Sequence, residues 1–515
     1  MTSDGRVREQ RPHLRGRRAA RNVVRRCDYH NLNNPFASAN VFSEDHVTAI
    51  HEAALQVLQE LGMKVLLPEA RQIYAAGGAI VDDASQVVRI GRDIINAALK
   101  SAPRSIELIA GARHRDLTLE IGRLTFQSGA GSPYVNDLVR GRRAATLGDY
   151  RDLTRLIQHF DVLHMLNPLV EPQDIPIHLR HYHVTEAQLT LSDKFPFVYS
   201  RGTPQVMDCF RMIQDFRGLS FEEFEAAPHC YTIINTNSPR QIDIPMAQGL
   251  IDFARAGQMS IVTPFCLMGA MAPITIAGAL TLSHAEALAA IALTQLVRPG
   301  APVCYGAFAS NVDMKSGAPA FGTPEHVKAN LGSGQLARLL GLPWRCAAAS
   351  AANINDAQAA NETQMSAWGA VLAGATVIIH GAGWLEGGLT VSYEKIITDL
   401  EVLQTFAELC APTAAEDADI ALDALREVPP GGHFFGAAHT MERYQTAFYQ
   451  PLVADWSNFG TWTENGSKSA TERATTIWQS IVRDEPAIAV PPERCEALSE
   501  YITKRTQDGG APPES

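Results

Sequence analysis

The feature that most constrains this chain is a repeated pattern rather than a repeated motif. From about residue 124, short apolar or β-branched runs alternate with amphipathic segments. The spacing is roughly 30 to 45 residues, the length of one β-α unit. The strand-like runs are "LTFQSGAG", "VLHMLNPLV", "PFVYSRG", "YTIINTNS", "MSIVTPFCLMG", "APVCYGAFAS", "WRCAAASA" and "TVIIHGAGW". Helix-like segments fall around 148–160, 176–192, 204–216, 242–256, 284–297, 325–341 and 357–373, and another, 392–410, follows the last run. Eight such units in series predict an α/β protein, a closed (β/α)8 TIM barrel over residues 121–412. An open doubly wound sheet is the rival. It usually has fewer strands and wants a GxGxxG turn after the first, which is missing here.

The flanks read differently. Residues 1–28 form an Arg-rich arm, expected to be solvated or to dock on an acidic neighbour such as another subunit. Residues 29–120 read as an α-rich region. In it "SEDHVTAIHEAALQVLQELG" (43–62) predicts a helix capped by Ser43 and stopped at Gly62. A second helix is expected near 92–101, with a short hairpin over "AIVDDASQVVRI" between the two. Beyond residue 412 the alternation stops. Residues 413–515 contain the Gly/Pro loop "VPPGGHFFGAAHT" and a last helix over 468–482, expected to pack on the barrel and to lie over its mouth.

Charge and composition exclude some functions. A net charge of -11 gives the chain no general reason to bind nucleic acid or anionic lipid. No apolar run of membrane-spanning length and no signal-peptide core are read, so a cytoplasmic protein is expected. The eight cysteines are scattered without CxxC pairs, which is no disulfide framework. Cys230, Cys266, Cys304 and Cys346 all fall on strand-like runs, yet at different positions within them. They are expected in the core rather than around zinc. His178 and His181 have ligand-like spacing and are read as helix histidines. No metal is expected.

In such a barrel the site lies at the C-terminal strand ends. These ends carry amides, hydroxyls and aromatics, and no Schiff-base lysine: Lys315 and Lys395 lie past them. The eighth run ends in "HGAGWLEGG", which places His380, Trp384 and Glu386 on one glycine-rich turn. A bulky indole with an acid argues against a phosphate loop and for a cation, because aromatic faces attract quaternary ammonium groups. Tyr134, Phe265, Tyr305 and Phe308 lie on or near strand ends and are candidates for the same box.

Several blocks resemble the trimethylamine methyltransferase family, and its non-pyrrolysine branch of glycine betaine methyltransferases in particular. They are "YVNDLVRGRRAATLGDY" (134–150), "GAMAPITIAGALTLSHAEALAAIALTQLVRPGAPVCYG" (269–306), "SGAPAFGTPE" (316–325), "NDAQAANE" (355–362), "GAGWLEGGLTVSYEKIITDLE" (381–401) and "GGHFFGAAHT" (431–440). The resemblance covers nearly all of the chain after the arm. It implies a β-α barrel that moves a methyl group from a methylated amine to the cobalt of a corrinoid (cobalamin) on a small partner protein, with no tightly bound cofactor of its own. The archaeal trimethylamine enzymes carry pyrrolysine near what is here "SAANINDAQ" (350–358), where this sequence has standard residues. A quaternary amine such as glycine betaine is therefore expected.

On this reading Glu386 and His380 are the catalytic candidates. Trp384, Tyr305, Phe308, Asn235, Asn237, Asn353, Tyr134 and His433 are the substrate-binding candidates. Within them, Glu386 and Trp384 face the cation, and His380 with the amides faces a substrate carboxylate or amide. Gly381, Gly383 and Gly387 would let a corrin ring approach the backbone. Asp313 and Asp356 are expected to shape loops, and His439 joins His433 in a tail loop. A homo-oligomer is expected, with the apolar helix at 284–297 as a candidate contact. Two alternatives stay open: a corrinoid-independent barrel lyase or hydrolase, and a non-catalytic binding protein for methylated amines.

Overall fold

The computed structural model describes residues 31–484 and 488–514; the Arg-rich arm lies outside them. Six strands make one parallel ladder: β1 (Arg123–Phe126), β2 (Tyr231–Ile234), β3 (Met259–Val262), β4 (Val303–Gly306), β5 (Trp344–Ala347) and β6 (Val377–Ile379). Their spatial order is β1-β6-β5-β4-β3-β2. The two remaining strand-like runs form isolated parallel bridges, Ser132 with Val170, Met165 with Phe195 and Phe197 with Tyr231. Pro168 and Pro196 interrupt them, since proline brings no N–H to a ladder. Backbone bonds still pass through both runs. His164 N donates to Phe126 O, Leu166 N to Phe195 O and Val198 N to Tyr231 O, each at 2.9 Å.

All eight expected helices form: Leu147–His159, Ile177–Leu191, Thr203–Arg217, Ile244–Arg255, Ile276–Val297, Pro324–Leu340, Ala357–Leu372 and Tyr393–Cys410. Side chains alternate across each strand. One set builds an interior cluster that includes Phe195, Phe197, Tyr231, Ile261, Cys304 and Val377. The other set meets the helices: Trp344, Cys346 and Tyr305 belong to the larger outer cluster. Cys304 and Cys346 thus face opposite ways, and the four strand cysteines are all buried. Burial pushes the Cys266 and Cys346 thiols up to about 12.

The helix Ile276–Val297 starts earlier than the sequence pattern indicated, because the Thr275 side chain accepts from Gly278 N and caps it. Against expectation, it is long and apolar enough to cross a membrane. It is mostly buried in the chain itself. The N-terminal helices Glu44–Gln56 and Arg92–Ser101 pack on it and cover much of that apolar surface. Ser43 caps the first of these helices, accepting from His46 N, and the hairpin Ile80–Asp82 with Val87–Arg89 forms as expected.

The tail packs on the core helices as expected, but not over the mouth, and it holds one helix more than expected. Helix Ala470–Asp484 packs on Tyr393–Cys410 and Leu147–His159, where Trp478 Nε1 donates to Glu394 Oε1 at 2.8 Å. A further helix, Pro492–Gln507, follows it and packs on Ile177–Leu191 and Thr203–Arg217. Asp208 fastens it, accepting from Tyr501 at 2.7 Å and from Arg505 at 3.0 Å. Both helices lie along the flank.

Candidate functional site

A cavity of about 450 Å³ opens at the C-terminal ends of the strands. Its wall takes residues from every sector of the ladder, from Ala130 and Gly131 after β1 round to His380, Trp384, Gly387 and Gly388 after β6. Among the described residues none beyond Leu389 borders it, and His433 and His439 are not in its wall. His433 is exposed, and His439 Nε2 lies 3.2 Å from Ala418 O.

The turn after β6 is held by its neighbours on both sides. His380 N donates to Ser128 O and Gly381 N to Gln127 O, which continues the pairing with the chain after β1. Glu386 N donates to Ala352 O and Gly387 N to Ser350 O, which fastens the far end to the chain after β5. These bonds hold two non-glycine residues in the left-handed region, His380 at φ 61° and Glu386 at φ 54°. Such a conformation costs about 1 kcal/mol or more per residue and persists where the surroundings impose it. The result is a flat stack. The His380 and Trp384 rings lie 3.9 Å apart at 5°. Phe308 joins them, 5.6 Å from His380 and 5.8 Å from Trp384, and Phe265 lies 4.9 Å from Phe308.

The glycines divide by task. A Cβ on Gly388 would sit 2.3 Å from the Trp384 indole, and one on Gly383 2.4 Å from Ile396. Gly381 packs on Leu403 and on the Gln127 carbonyl. Gly381 and Gly383 therefore serve internal packing, contrary to the cofactor-facing role expected of them. Gly387 borders the cavity with Gly388 and Gly131.

Of the other candidates, Asn235, Phe308, His380 and Trp384 line the cavity. Tyr305 does not: it stands in register with Trp344 on the helix-facing side, and its hydroxyl lies 3.0 Å from His284 Nδ1. The Asn237 amide is engaged by Asp243, and Asn353 is exposed. Tyr134 carries the Arg142 guanidinium over its ring at 3.8 Å. That same Arg142 grips Glu386, with Nε 2.9 Å and 3.1 Å from its two oxygens and Nη2 at 2.9 Å, while Thr390 donates to Glu386 Oε1 at 2.9 Å. Glu386 is thus neutralised and braces the loop instead of offering a free carboxylate to a cation. Asp313 and Asp356 shape loops as expected, accepting from Ser316 and from Gln358 N.

The cavity carries two arginines: Arg201, which the sequence places at the third strand end, and Arg345, which the sequence reading passed over. Arg201 is compensated: it binds Glu171 at 2.7 Å and 3.1 Å and lies over the Tyr199 ring at 4.1 Å. Arg345, on β5, is 2% exposed and reaches His380 Nε2 with Nη2 at 3.3 Å. Donation from the guanidinium makes Nε2 an acceptor and leaves the proton on Nδ1. Burial first, and then the Arg345 charge, hold the His380 imidazole well below its usual range, so it stays neutral. Burial also lowers Arg345 to about 10, which leaves it charged near neutrality. The sequence did hold a signal for it: one charged residue in the otherwise apolar run "WRCAAASA".

A family model described as trimethylamine methyltransferase (MTTB) matches residues 6–510. The chain is 31% identical to the glycine betaine methyltransferase of Desulfitobacterium hafniense (strain Y51) over 477 residues, 92% of this chain and 98% of that one. It is 30% identical to the trimethylamine methyltransferase MttB of Desulfitobacterium hafniense (strain DSM 10664 / DCB-2), over 91% of this chain and 94% of that one. It is 28% identical to the trimethylamine methyltransferase MttB1 of Methanosarcina mazei, over 84% and 89%. The solved monomethylamine methyltransferase of Methanosarcina barkeri aligns over 90% of this chain and 96% of that one, at a TM-score of 0.45 and 9% identity, a likeness too low to carry weight. By its own sequence, the chain belongs to the trimethylamine methyltransferase (MTTB) family and is a methyltransferase.

Proposed function

We propose that this methyltransferase takes a methyl group from a quaternary or tertiary amine, betaine-like in its chemistry, and passes it to the cobalt of a corrinoid carried by a small partner protein. The observation that carries the reading is the aromatic wall of Phe265, Phe308 and Trp384 in a cavity at the strand ends. Such faces hold methylated ammonium groups, each contributing roughly 0.5–2 kcal/mol when dry. As the C–N bond breaks, its electron pair stays on nitrogen and the cation becomes a neutral amine. A pocket that gripped the cation with a carboxylate would hold the starting state more tightly than the transition state and slow the step. Aromatic faces, with Glu386 turned away to Arg142, suit that demand. The amine that leaves a quaternary ammonium needs no proton, in keeping with a neutral His380 that positions rather than titrates.

The reduced corrinoid, when presented, supplies the nucleophile that takes the methyl. Backbone at the rim supports its approach: a Cβ at Gly131 would meet nothing within 4 Å, and Gly387 and Gly388 border the same mouth. We read the fold as a (β/α)8 barrel over 121–412, between the region 29–120 and the extension 413–515. The bonds that run from β1 through 164–166 and 195–198 to β2 support that closure. Exposed aromatics along the extension, Phe435, Phe448, Trp456 and Phe459, support association with further copies of the chain. Light scattering on the full-length protein tests this, and a monomer at all concentrations contradicts it.

The function is tested by incubating the protein with reduced cobalamin and glycine betaine, trimethylamine, choline or tetramethylammonium in turn. Methylation of cobalt, read by its absorption change, is expected with a quaternary amine. Release of trimethylamine or an aldehyde without cobalt methylation would point to a corrinoid-independent lyase or hydrolase instead.

A further inference from the structure

The long apolar helix Ile276–Val297 carries a single acid, Glu286, and that acid is fully buried. A carboxylate persists in such a place when other groups satisfy it. Here they come from one loop. Thr236 Oγ1 and Ser238 Oγ donate to Glu286 Oε2, the second at 2.7 Å, and Arg240 N donates to Oε1 at 2.7 Å. The Arg240 guanidinium reaches Gly62 O instead, at 3.2 Å. The carboxylate therefore organises a stretch of backbone. It helps to hold Arg240 at φ 54°, in the left-handed region, where a non-glycine residue stays only if its surroundings impose it.

The loop held in this way belongs to the cavity wall. It leaves β2 at Asn235, the neighbour of Thr236, and the Asn235 side chain is exposed to the cavity. The Asn237 amide two residues on is engaged by Asp243. Ser238 Oγ also lies 3.1 Å from Cys266 Sγ, and Cys266 follows Phe265 of the aromatic wall. Glu286 thus stands one step behind two wall residues. Three strands of the ladder separate β2, which Asn235 follows, from β6, which Trp384 follows, so the amide and the indole border the cavity from different sides.

We infer that Glu286 is a positioning residue, which sets the loop 235–240 so that the Asn235 amide oxygen meets the methyl groups of the bound ammonium on the side away from Trp384. This rests on the reading that the cavity takes a methylated amine. The methyl groups share the positive charge of the nitrogen, so their C–H bonds act as weak donors to an amide oxygen. A neutral oxygen also suits the reaction, because it grips the starting cation less than a carboxylate would. Glu286 keeps its own charge out of the cavity, behind Thr236 and Ser238, and acts only through the loop.

The test is equilibrium binding by calorimetry on the purified full-length protein with no corrinoid present. The probes are tetramethylammonium and glycine betaine. Asn235→Ala is expected to weaken both by about two- to fivefold, the scale of weak C–H···O contacts. Glu286→Leu, near in size and without acceptors, releases the loop and is expected to weaken both to the same extent. Glu286→Gln is expected to recover the affinity, since its oxygen can serve Arg240 N while the two hydroxyls turn to accept from its amide. Because Glu286 and Asn235 act through one contact, the double variant Asn235→Ala with Glu286→Leu should match Asn235→Ala rather than multiply the two losses. Should Glu286→Leu fail to fold, Ser238→Ala, which removes one donor of the three, carries the same comparison with a smaller loss. A merely structural Glu286 would lower the melting temperature and leave both affinities alone, and that result overturns the inference. So do losses that multiply in the double variant, an Asn235→Ala protein that binds like the wild type, and a Glu286→Gln protein as weak as Glu286→Leu. A wild type that binds neither probe sinks the reading of the cavity and this inference with it; a wild type that binds both, with every variant unchanged, sinks this inference alone.

Discussion

Two buried cations show how this fold treats charge. Lys395 is fully buried, and its Nζ reaches both oxygens of Asp399 at 2.8 and 2.9 Å and Thr363 Oγ1 at 2.8 Å. Asp399 also accepts from Gly383 N at 2.8 Å, which ties the pair to the turn that carries Trp384. Arg345 is 2% exposed and, among the described residues, has one weak hydrogen-bond partner, a neutral imidazole, beside the Phe308 ring at 5.3 Å. The first cation is closed within the protein, as buried charges usually are. The second is left open toward a cavity. The difference separates a residue that holds the scaffold from one available to the carboxylate of a ligand, at the inner end of the cavity.

The sharpest way to break this comparison is to remove each charge in turn. Lys395→Met strands Asp399 in the core and is expected to cost about 3–5 kcal/mol, seen as a large fall in melting temperature. Arg345→Met removes an unpaired buried charge and is expected to stay within about 1 kcal/mol of the wild type or to gain stability. Equal losses in the two variants would show that Arg345 is as structural as Lys395.

Next in size is Trp384→Ala. Emptying the space beside His380 is expected to cost about 3 kcal/mol of stability. It should also weaken glycine betaine and tetramethylammonium alike, by roughly 3- to 30-fold for one dry aromatic face. Arg345→Met acts on the acidic ligand alone, so the two variants separate the two ends of the cavity. An unchanged tetramethylammonium affinity in Trp384→Ala would remove the indole from the ammonium side.

The pH dependence sharpens the picture further. His380 is held below its usual value and Arg345 stays charged near neutrality. Glycine betaine affinity should therefore be flat from about pH 7 to about pH 9, with neither group titrating there. For stability the sign is opposite to that of a stabilised imidazolium. The fold favours neutral His380, so its contribution is complete above the unfolded value near 6.5 and declines as pH falls below it. Melting temperatures from pH 7 down to pH 5 check this, and a protein that grows more stable on acidification contradicts it. The smallest effect belongs to Glu386→Gln. Its partner Arg142 is partly exposed, and breaking the pair is expected to cost less than about 1 kcal/mol, with ligand affinity unchanged.

Much of this was legible in the sequence, and the misses have physical causes. The eight helices and six of the strands follow from periodicity. Pro168 and Pro196 hid how short the pairing is in two runs. The turn carrying His380 and Trp384 was legible because only glycines allow so tight a loop around an indole. Tyr305 was misplaced and Arg345 passed over for one reason, the two-residue period of a strand. Tyr305 stands beside Trp344 facing the helices, and Gly306 stands beside Arg345 facing the interior. Looking for chemistry only past the strand ends passes over a charge one layer inside them. The role of Glu386 was not legible, because its partner Arg142 is 244 residues away.

The most direct measurement is a crystal structure with glycine betaine bound. The account predicts carboxylate oxygens about 2.8 Å from the Arg345 nitrogens, the spacing of a charge-assisted bond, with the trimethylammonium group against Phe308 and Trp384. A carboxylate resting on Arg201, or left in solvent at the mouth, would contradict it.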